Sequence, residues 1–315
     1  MTHPKGERVT RSLLALIQHL ILKMERSTAD SRIIDMTIVA DYRRLGERLN
    51  AIFNSPKVVS LHFPSPVPDE TFRDEFGFVF LEDGSVGPFY VSMEGILQTL
   101  WERYPGPGEY CSQSARLLRG FTEGDLADRA LALGVYNALS ASLFRATDFK
   151  APDRSTSSGL EDIQAGTTIG MVGYFCPLVD KLVERGCQVL ILEKTPERVD
   201  LRALVSVTQN ALDLRQCSHV LCTAATLIND TVDEILSAVK GYAELEIIGP
   251  SGSGLPDMLL ERGVSSVGGI RFSDRFHLLE LLEQGKSWGA AGQKYQLNAE
   301  NYPGFSRLIE ELGAQ

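Results

Sequence analysis

The sequence predicts an α/β protein: a doubly wound, Rossmann-like parallel sheet in the C-terminal half, preceded by a smaller α+β unit. Three observations carry this. Five short apolar runs alternate with helical segments after residue 167, an Asp-Gly turn joins two β-rich runs near residue 84, and a polar Ser/Thr-rich stretch separates the two patterns. At 315 residues the chain also exceeds the usual size of one domain. We therefore expect units at 1–150 and 160–290 and a helical tail at 291–315, with the linker at Lys150–Gly159.

In chain order, Leu13, Leu14, Ile17, Leu20, Ile21 and Met24 read as an amphipathic helix rather than a signal peptide. Ile33–Ala40 and Lys57–Phe63 carry strand-like apolar runs. Phe76–Leu81 and Ser85–Val91 flank Glu82-Asp83-Gly84, a hairpin signal because glycine tolerates the positive φ of such turns. Met93–Arg103, Ser112–Gly120 and Glu123–Phe144 have helical spacing. In the second half, strands are expected at Thr168–Val172, Gln188–Leu192, His219–Thr223, Leu245–Ile248 and Ser265–Val267. Helices should start near Pro177, Leu201, Thr231, Leu255 and Ser273, with a last helix at Gly304–Leu312 after an irregular stretch. Parallel strands need crossover helices, and right-handed crossovers place them on both faces.

Composition excludes several function classes. A net charge of −10 and no basic run oppose nucleic acid and anionic membrane as partners. No apolar stretch approaches the ~18 residues that cross a bilayer. The five cysteines, Cys111, Cys176, Cys187, Cys217 and Cys222, are odd in number and form no CxxC pair, which fits free thiols in the cytoplasm better than a disulfide framework. His219 and Cys222 point to opposite faces of one strand, so they do not join Cys217 in a metal site. No Ser-His-Asp order or nucleophile elbow supports a hydrolase. A two-fold homodimer is the expected oligomer.

In doubly wound sheets ligands bind beyond the carboxyl ends of the strands. Four loops there carry the candidate residues. In the first, Gly173 permits a tight turn, Tyr174 follows, and Cys176 before Pro177 is a candidate N-cap, a position that favours an anion or a thiolate; a tight turn with a buried thiol is the alternative. In the second, Glu193 ends a strand about 20 residues after Gly173, where nucleotide-binding sheets hold ribose hydroxyls; the alternative is a solvated acid paired with Lys194 or Arg198. The third clusters Thr223, Thr226, Asn229 and Thr231, of which helix capping by Asn229 or Asp230 explains only part. The fourth, Gly249-Pro250-Ser251-Gly252-Ser253-Gly254, is too rich in glycine for packing alone and suits either close approach to an anion or a hinge. Glu82, Asp83, Tyr90 and Gly87-Pro88 could face the cleft, but a hairpin turn and a buried aromatic explain them equally well, and they are left outside the site.

Ile169-Gly170-Met171-Val172-Gly173-Tyr174-Phe175, Leu192-Glu193-Lys194-Thr195-Pro196, Thr223 through Thr231, and Ile248-Gly249-Pro250-Ser251 together resemble the "Putative heavy-metal chelation" family of unknown function, and Arg129–Leu139 is similar to the segment closing its N-terminal domain. Cys176, and Asp230 in place of glycine, depart from the family pattern. The resemblance implies an enolase N-terminal-like domain packed on a Rossmann-like domain, with the ligand in the cleft between them. The leading expectation is thus a small anionic compound or heavy-metal chelate in that cleft, with Cys176 and Glu193 as candidate metal ligands. The alternative is an enzyme using S-adenosylmethionine or a nicotinamide dinucleotide as cofactor.

Overall fold

A computed structural model describes residues 37–66, 75–93, 95–153 and 163–314. The helix expected at Leu13–Met24 and most of the linker lie outside these residues. The first described element is a helix, α1 (Ile38–Ile52), where Ile33–Ala40 had suggested a strand. Thr37 caps it by accepting from the Ala40 amide, and Ile38, Tyr42, Leu45 and Leu49 recur at helical spacing on its buried face. Residues 33–36 lie outside the described residues; of the rest, Ile38 and Val39 form the buried first turn, so periodicity overrides strand propensity over residues 38–40.

Strands β1 (Lys57–His62), β2 (Phe76–Leu81), β3 (Val86–Tyr90) and β4 (Ser112–Gln113) form an antiparallel sheet in the order β3-β2-β1-β4. The Asp-Gly hairpin pairs Phe80 with Val86 and Phe76 with Tyr90. Helix α2 (Ile96–Arg103) starts later than its sequence suggested. The helix expected at Ser112–Gly120 divides into β4, α3 (Ser114–Leu118) and α4 (Gly120–Glu123). Helix α5 (Leu126–Ala146) opens with a capping box between Asp125 and Asp128 and is buried on nearly every side over Ala130–Ser140. Such all-round burial marks a helix enclosed by other elements rather than lying on a surface.

The second sheet holds β5 (Thr168–Val172), β6 (Gln188–Leu192), β7 (Val205–Thr208), β8 (His219–Thr223), β9 (Glu244–Ile248), β10 (Ser266–Arg271) and β11 (Gln293–Asn298), in the order β11-β10-β9-β8-β5-β6-β7. All neighbours are parallel except β11, which runs antiparallel to β10. Counted from β5 this is the 3-2-1-4-5-6 order of doubly wound sheets with one strand added, and its switch point lies between β5 and β8. Helices α6 (Cys176–Glu184), α7 (Val232–Val239), α8 (Asp257–Leu260) and α9 (Arg275–Glu283) follow the strands, and α10 (Phe305–Ala314) ends the described chain. In this half two further expectations fail. The helix near Leu201 is absent: Leu201 and Leu204 are exposed, Leu204 is left-handed (φ 66°), and the segment forms β7 and a 3-10 turn at Ala211–Gln216. The irregular stretch before the last helix is in part β11, whose Tyr295 and Leu297 alone face inward.

One apolar cluster runs from Val79 and Phe89 through Leu131, Tyr136 and Leu139 of α5 to Val220, Cys222 and Ile247. A second packs Val179 and Leu182 of α6 on Ile169, Met171, Val189 and Ile191, covering the other face of the parallel sheet. A third carries Leu278 of α9 and Trp288 onto Phe78, Phe80 and Val86, so the C-terminal half also clasps the outer face of the first sheet. Helix α5 therefore sits between two sheets whose ends meet above the switch point.

Candidate functional site

A cleft of about 800 Å³ opens at the carboxyl ends of β5, β6, β8 and β9, within the size range of small-molecule sites. Gly173, Tyr174, Glu193, Thr223, Thr226, Asn229, Thr231, Gly249, Pro250 and Ser251 all line it. Cys176 is not among the lining residues. Phe175 is the N-cap of α6, and Cys176, its first residue, is exposed with Sγ 3.9 Å from Asp180 Oδ2 one turn on. The N-cap assignment for Cys176 and the buried-thiol alternative are therefore both corrected. Gly173 is left-handed at φ 81°, and its amide donates to the Leu192 carbonyl, which turns the chain across the top of β6. Burial, and then the neighbouring Cys176 thiol, raise the pKa of the Tyr174 hydroxyl.

Glu193 is held by its own amide, which donates to Thr208 O at 3.1 Å, and its Oε1 accepts from the Thr195 amide at 3.2 Å. It makes no ion pair with a described residue, Lys194 and Arg198 included. Arg198, at the end of the 3-10 turn Pro196–Arg198, lines the same cleft. Its Nε is enclosed without a hydrogen-bond partner among the described residues. In the sequence this arginine stands out only as a partner for Glu193, because nothing local shows that it lines the cleft.

The third loop is more self-contained than expected. Thr223 Oγ1 accepts from the Ala225 amide and caps the 3-10 turn Ala224–Leu227, and Thr226 Oγ1 donates to Thr223 O at 2.7 Å. Thr231 is the N-cap of α7, in place of Asn229 or Asp230, and its hydroxyl donates to Asn229 Oδ1 at 2.6 Å. These groups shape the cleft wall while largely satisfying one another. Asp230 is left-handed at φ 63°, which is why a glycine suits this position.

The glycine-rich loop is a buried junction over residues 251–254. A Cβ on Gly254 would lie 2.2 Å from the Tyr136 ring and one on Gly252 2.7 Å from the Gly268 carbonyl, so both glycines are packing requirements. Gly249, at φ 116° and with a Cβ there meeting only Ala224 Cβ at an unstrained 3.9 Å, answers to conformation alone. The amide of Tyr90 donates to Ser251 Oγ at 2.9 Å. Asn137 Nδ2 bridges Pro88 O (2.8 Å) and Ser251 O (3.0 Å), Tyr136 OH donates to Leu255 O (2.9 Å), and the Leu255 amide donates to Ser140 Oγ (3.1 Å). Through these bonds α5 fixes the fourth loop against β3. The opposite wall, Phe76, Tyr90, Ser92 and Met93, comes from the first sheet and its following turn. Tyr90, set aside in the sequence, thus belongs to the cleft. Phe76 packs edge-on against Tyr90 (5.5 Å) and Trp288 (5.4 Å).

Among the described residues no three His, Cys, Asp or Glu side chains converge to hold a metal ion. Cys217 and Cys222 are buried, and burial pushes their thiols up to about 11 and about 12, whereas His219 Nε2 lies 3.5 Å from Glu244 at the other face. No helix of the described residues is long and apolar enough to cross a membrane.

Residues 158–300 match the model of a family, DUF364, described as "Putative heavy-metal chelation". An uncharacterized protein of Methanocaldococcus jannaschii is 22% identical over 248 residues, 74% of this chain and 90% of that protein. A crystal structure of a protein of unknown function from the same family, from Pyrococcus horikoshii, superposes with a TM-score of 0.61 at 18% identity, covering 83% of this chain and 99% of that one. Another, from Desulfitobacterium hafniense, gives 0.56 at 15% identity, covering 80% and 97%. The chain thus resembles the "Putative heavy-metal chelation" family both in the sequence of residues 158–300 and in its fold.

Proposed function

We propose that the chain binds a small anionic organic compound, free or as a heavy-metal chelate, in the cleft at the switch point. The observation that carries this reading is the convergence of Glu193, Arg198 and the Gly249–Ser251 backbone on one cavity of about 800 Å³. A bare ion is disfavoured as cargo, since a soft metal wants three or four converging protein donors. An organic ligand brings its own donors and needs only a shaped cleft with a few polar anchors. Cys176 is left out of this reading, since it is not among the residues lining the cleft.

A second reading has one observation in its favour. Glu193 sits at the end of the second strand, about 20 residues after Gly173, where nucleotide cofactors place their ribose. Thermal unfolding of metal-free protein against S-adenosylmethionine, nicotinamide dinucleotides, carboxylate chelators, and divalent metals with and without those chelators separates the two. A ligand at 100 times its Kd raises stability by about 2.7 kcal/mol. A shift by a chelate but not by its metal alone supports the first reading. A shift by a nucleotide alone, lost in Glu193→Ala, replaces it with the second. We also propose a cytoplasmic location and a two-fold dimer, tested by fractionation and light scattering.

A further inference from the structure

Glu193 and Arg198 are opposite charges five residues apart on one loop. Both line the cleft, yet they form no ion pair with each other. Two flexible charged side chains this close in sequence gain by meeting unless the backbone holds them apart. Here it does. The Glu193 amide is tied to Thr208 O and its Oε1 to the Thr195 amide, while the Arg198 amide is tied to Thr195 O. Val199, buried to 7% exposure in the cluster under the sheet, anchors the end of the turn. The guanidinium makes no hydrogen bond or ion pair with a described residue: its Nε is enclosed without a partner among them, and the residue lines the cleft, where an anionic group can pair with it. Between the two charges and the first sheet, the wall is Phe76, Tyr90 and Met93.

Building on the cleft reading above, we propose that the ligand is a zwitterion of amino-acid type. Its acidic head pairs with Arg198, its ammonium group pairs with Glu193, and an apolar body lies against Phe76, Tyr90 and Met93. An arginine fork is suited to the planar acidic head, and a carboxylate accepts from an ammonium in more than one direction. Each charge then finds in the ligand the partner that the loop denies it within the protein.

The test uses three probes that share one ring and differ only in their poles: phenylalanine, 3-phenylpropionate and phenethylamine, titrated calorimetrically into wild type, Arg198→Gln, Arg198→Lys, Glu193→Gln and Ala225→Trp. Ala225 is half-buried and lines the cleft, so a tryptophan there fills it. The expected result is that wild type binds phenylalanine at least about tenfold more tightly than either single-pole probe, the ratio set by one charge-assisted hydrogen bond. Arg198→Gln brings phenylalanine down to the level of phenethylamine, Arg198→Lys keeps part of the preference, Glu193→Gln brings it to the level of 3-phenylpropionate, and Ala225→Trp removes all binding. Equal affinity for the three probes, no change in the Gln variants, or no phenylalanine binding at ~10 mM overturns the proposal. If it fails while a compound of the earlier panel binds wild type and is excluded by Ala225→Trp, the cleft reading stands alone. If nothing in either set binds, both fall.

Discussion

Asn137→Ala tests whether α5 fixes the geometry of the cleft. The amide of Asn137 is 1% exposed and donates to two buried carbonyls, Pro88 O on β3 and Ser251 O on the glycine-rich loop. Truncation removes both hydrogen bonds and leaves both acceptors without that donor in a site too enclosed for ready hydration. At about 1 kcal/mol for each bond and up to about 1–3 kcal/mol for a stranded acceptor, the loss is about 3–4 kcal/mol. For a chain of this length, about 2 °C of melting temperature follows each kcal/mol, so the midpoint should fall by about 6–8 °C. Asn137→Asp has the same shape but turns an acceptor toward two carbonyls, and should be at least as damaging. Ser251→Ala removes the acceptor of the Tyr90 amide from the same junction, so its effect and that of Asn137→Ala should sum to more than the double variant shows. Differential scanning calorimetry reads the four variants against wild type. An Asn137→Ala midpoint within 1 °C of wild type would refute the claim that this amide holds the two cleft walls together.

Gly254→Ala should destabilise by about 3 kcal/mol through overpacking on Tyr136 and be partly rescued by Tyr136→Leu, whereas Gly249→Ala should cost about 1–3 kcal/mol in backbone strain that no trimming of neighbours relieves; chemical denaturation of the two series separates them. Alkylation at pH 8 should label Cys111 and Cys176, which are exposed, and spare Cys217 and Cys222, whose buried thiols titrate near 11 and 12; peptide mass mapping checks this. Stability should hold up to about pH 9 and fall beyond it. Above the ordinary thiol and phenol values the unfolded chain releases protons that native Cys217, Cys222, Tyr136 and Tyr302 retain, because burial raises all four. At the acid end burial lowers His62, so below its ordinary value of 6.5 the unfolded chain binds a proton that the native one resists, and stability drops as pH falls through that value. His62→Phe should flatten that acid limb in a pH series of melting curves.

The parallel strands were legible because each is a short apolar run buried on both faces, a local signal that needs no partner. Once their order follows from right-handed crossovers, the four loops above them must converge, and Gly173, Glu193, Thr223 and Gly249 could be named from spacing alone. Strands β7 and β11 escaped because edge strands bury only part of their residues. Val205–Thr208 has no fully buried side chain, and Gln293–Asn298 buries only Tyr295 and Leu297. Asn137 and Tyr136 read as ordinary helix residues, since nothing near them in sequence announces that they reach the carbonyls of Ser251 and Leu255, more than 100 positions away.

The sequence by itself determined the alternating α/β pattern, the hairpin at Asp83-Gly84 and the loop ends that line the cleft, because helical and strand periodicity are properties of neighbouring residues. Tertiary structure alone decided that Phe76, Tyr90 and Met93 close the opposite wall, that Gly252 and Gly254 serve packing, that Cys176 stays outside, and that Arg198 faces Glu193's cleft without pairing with it. Each of these depends on contacts between segments far apart in the chain, or on a side-chain direction set by such contacts, and local pattern carries no record of either.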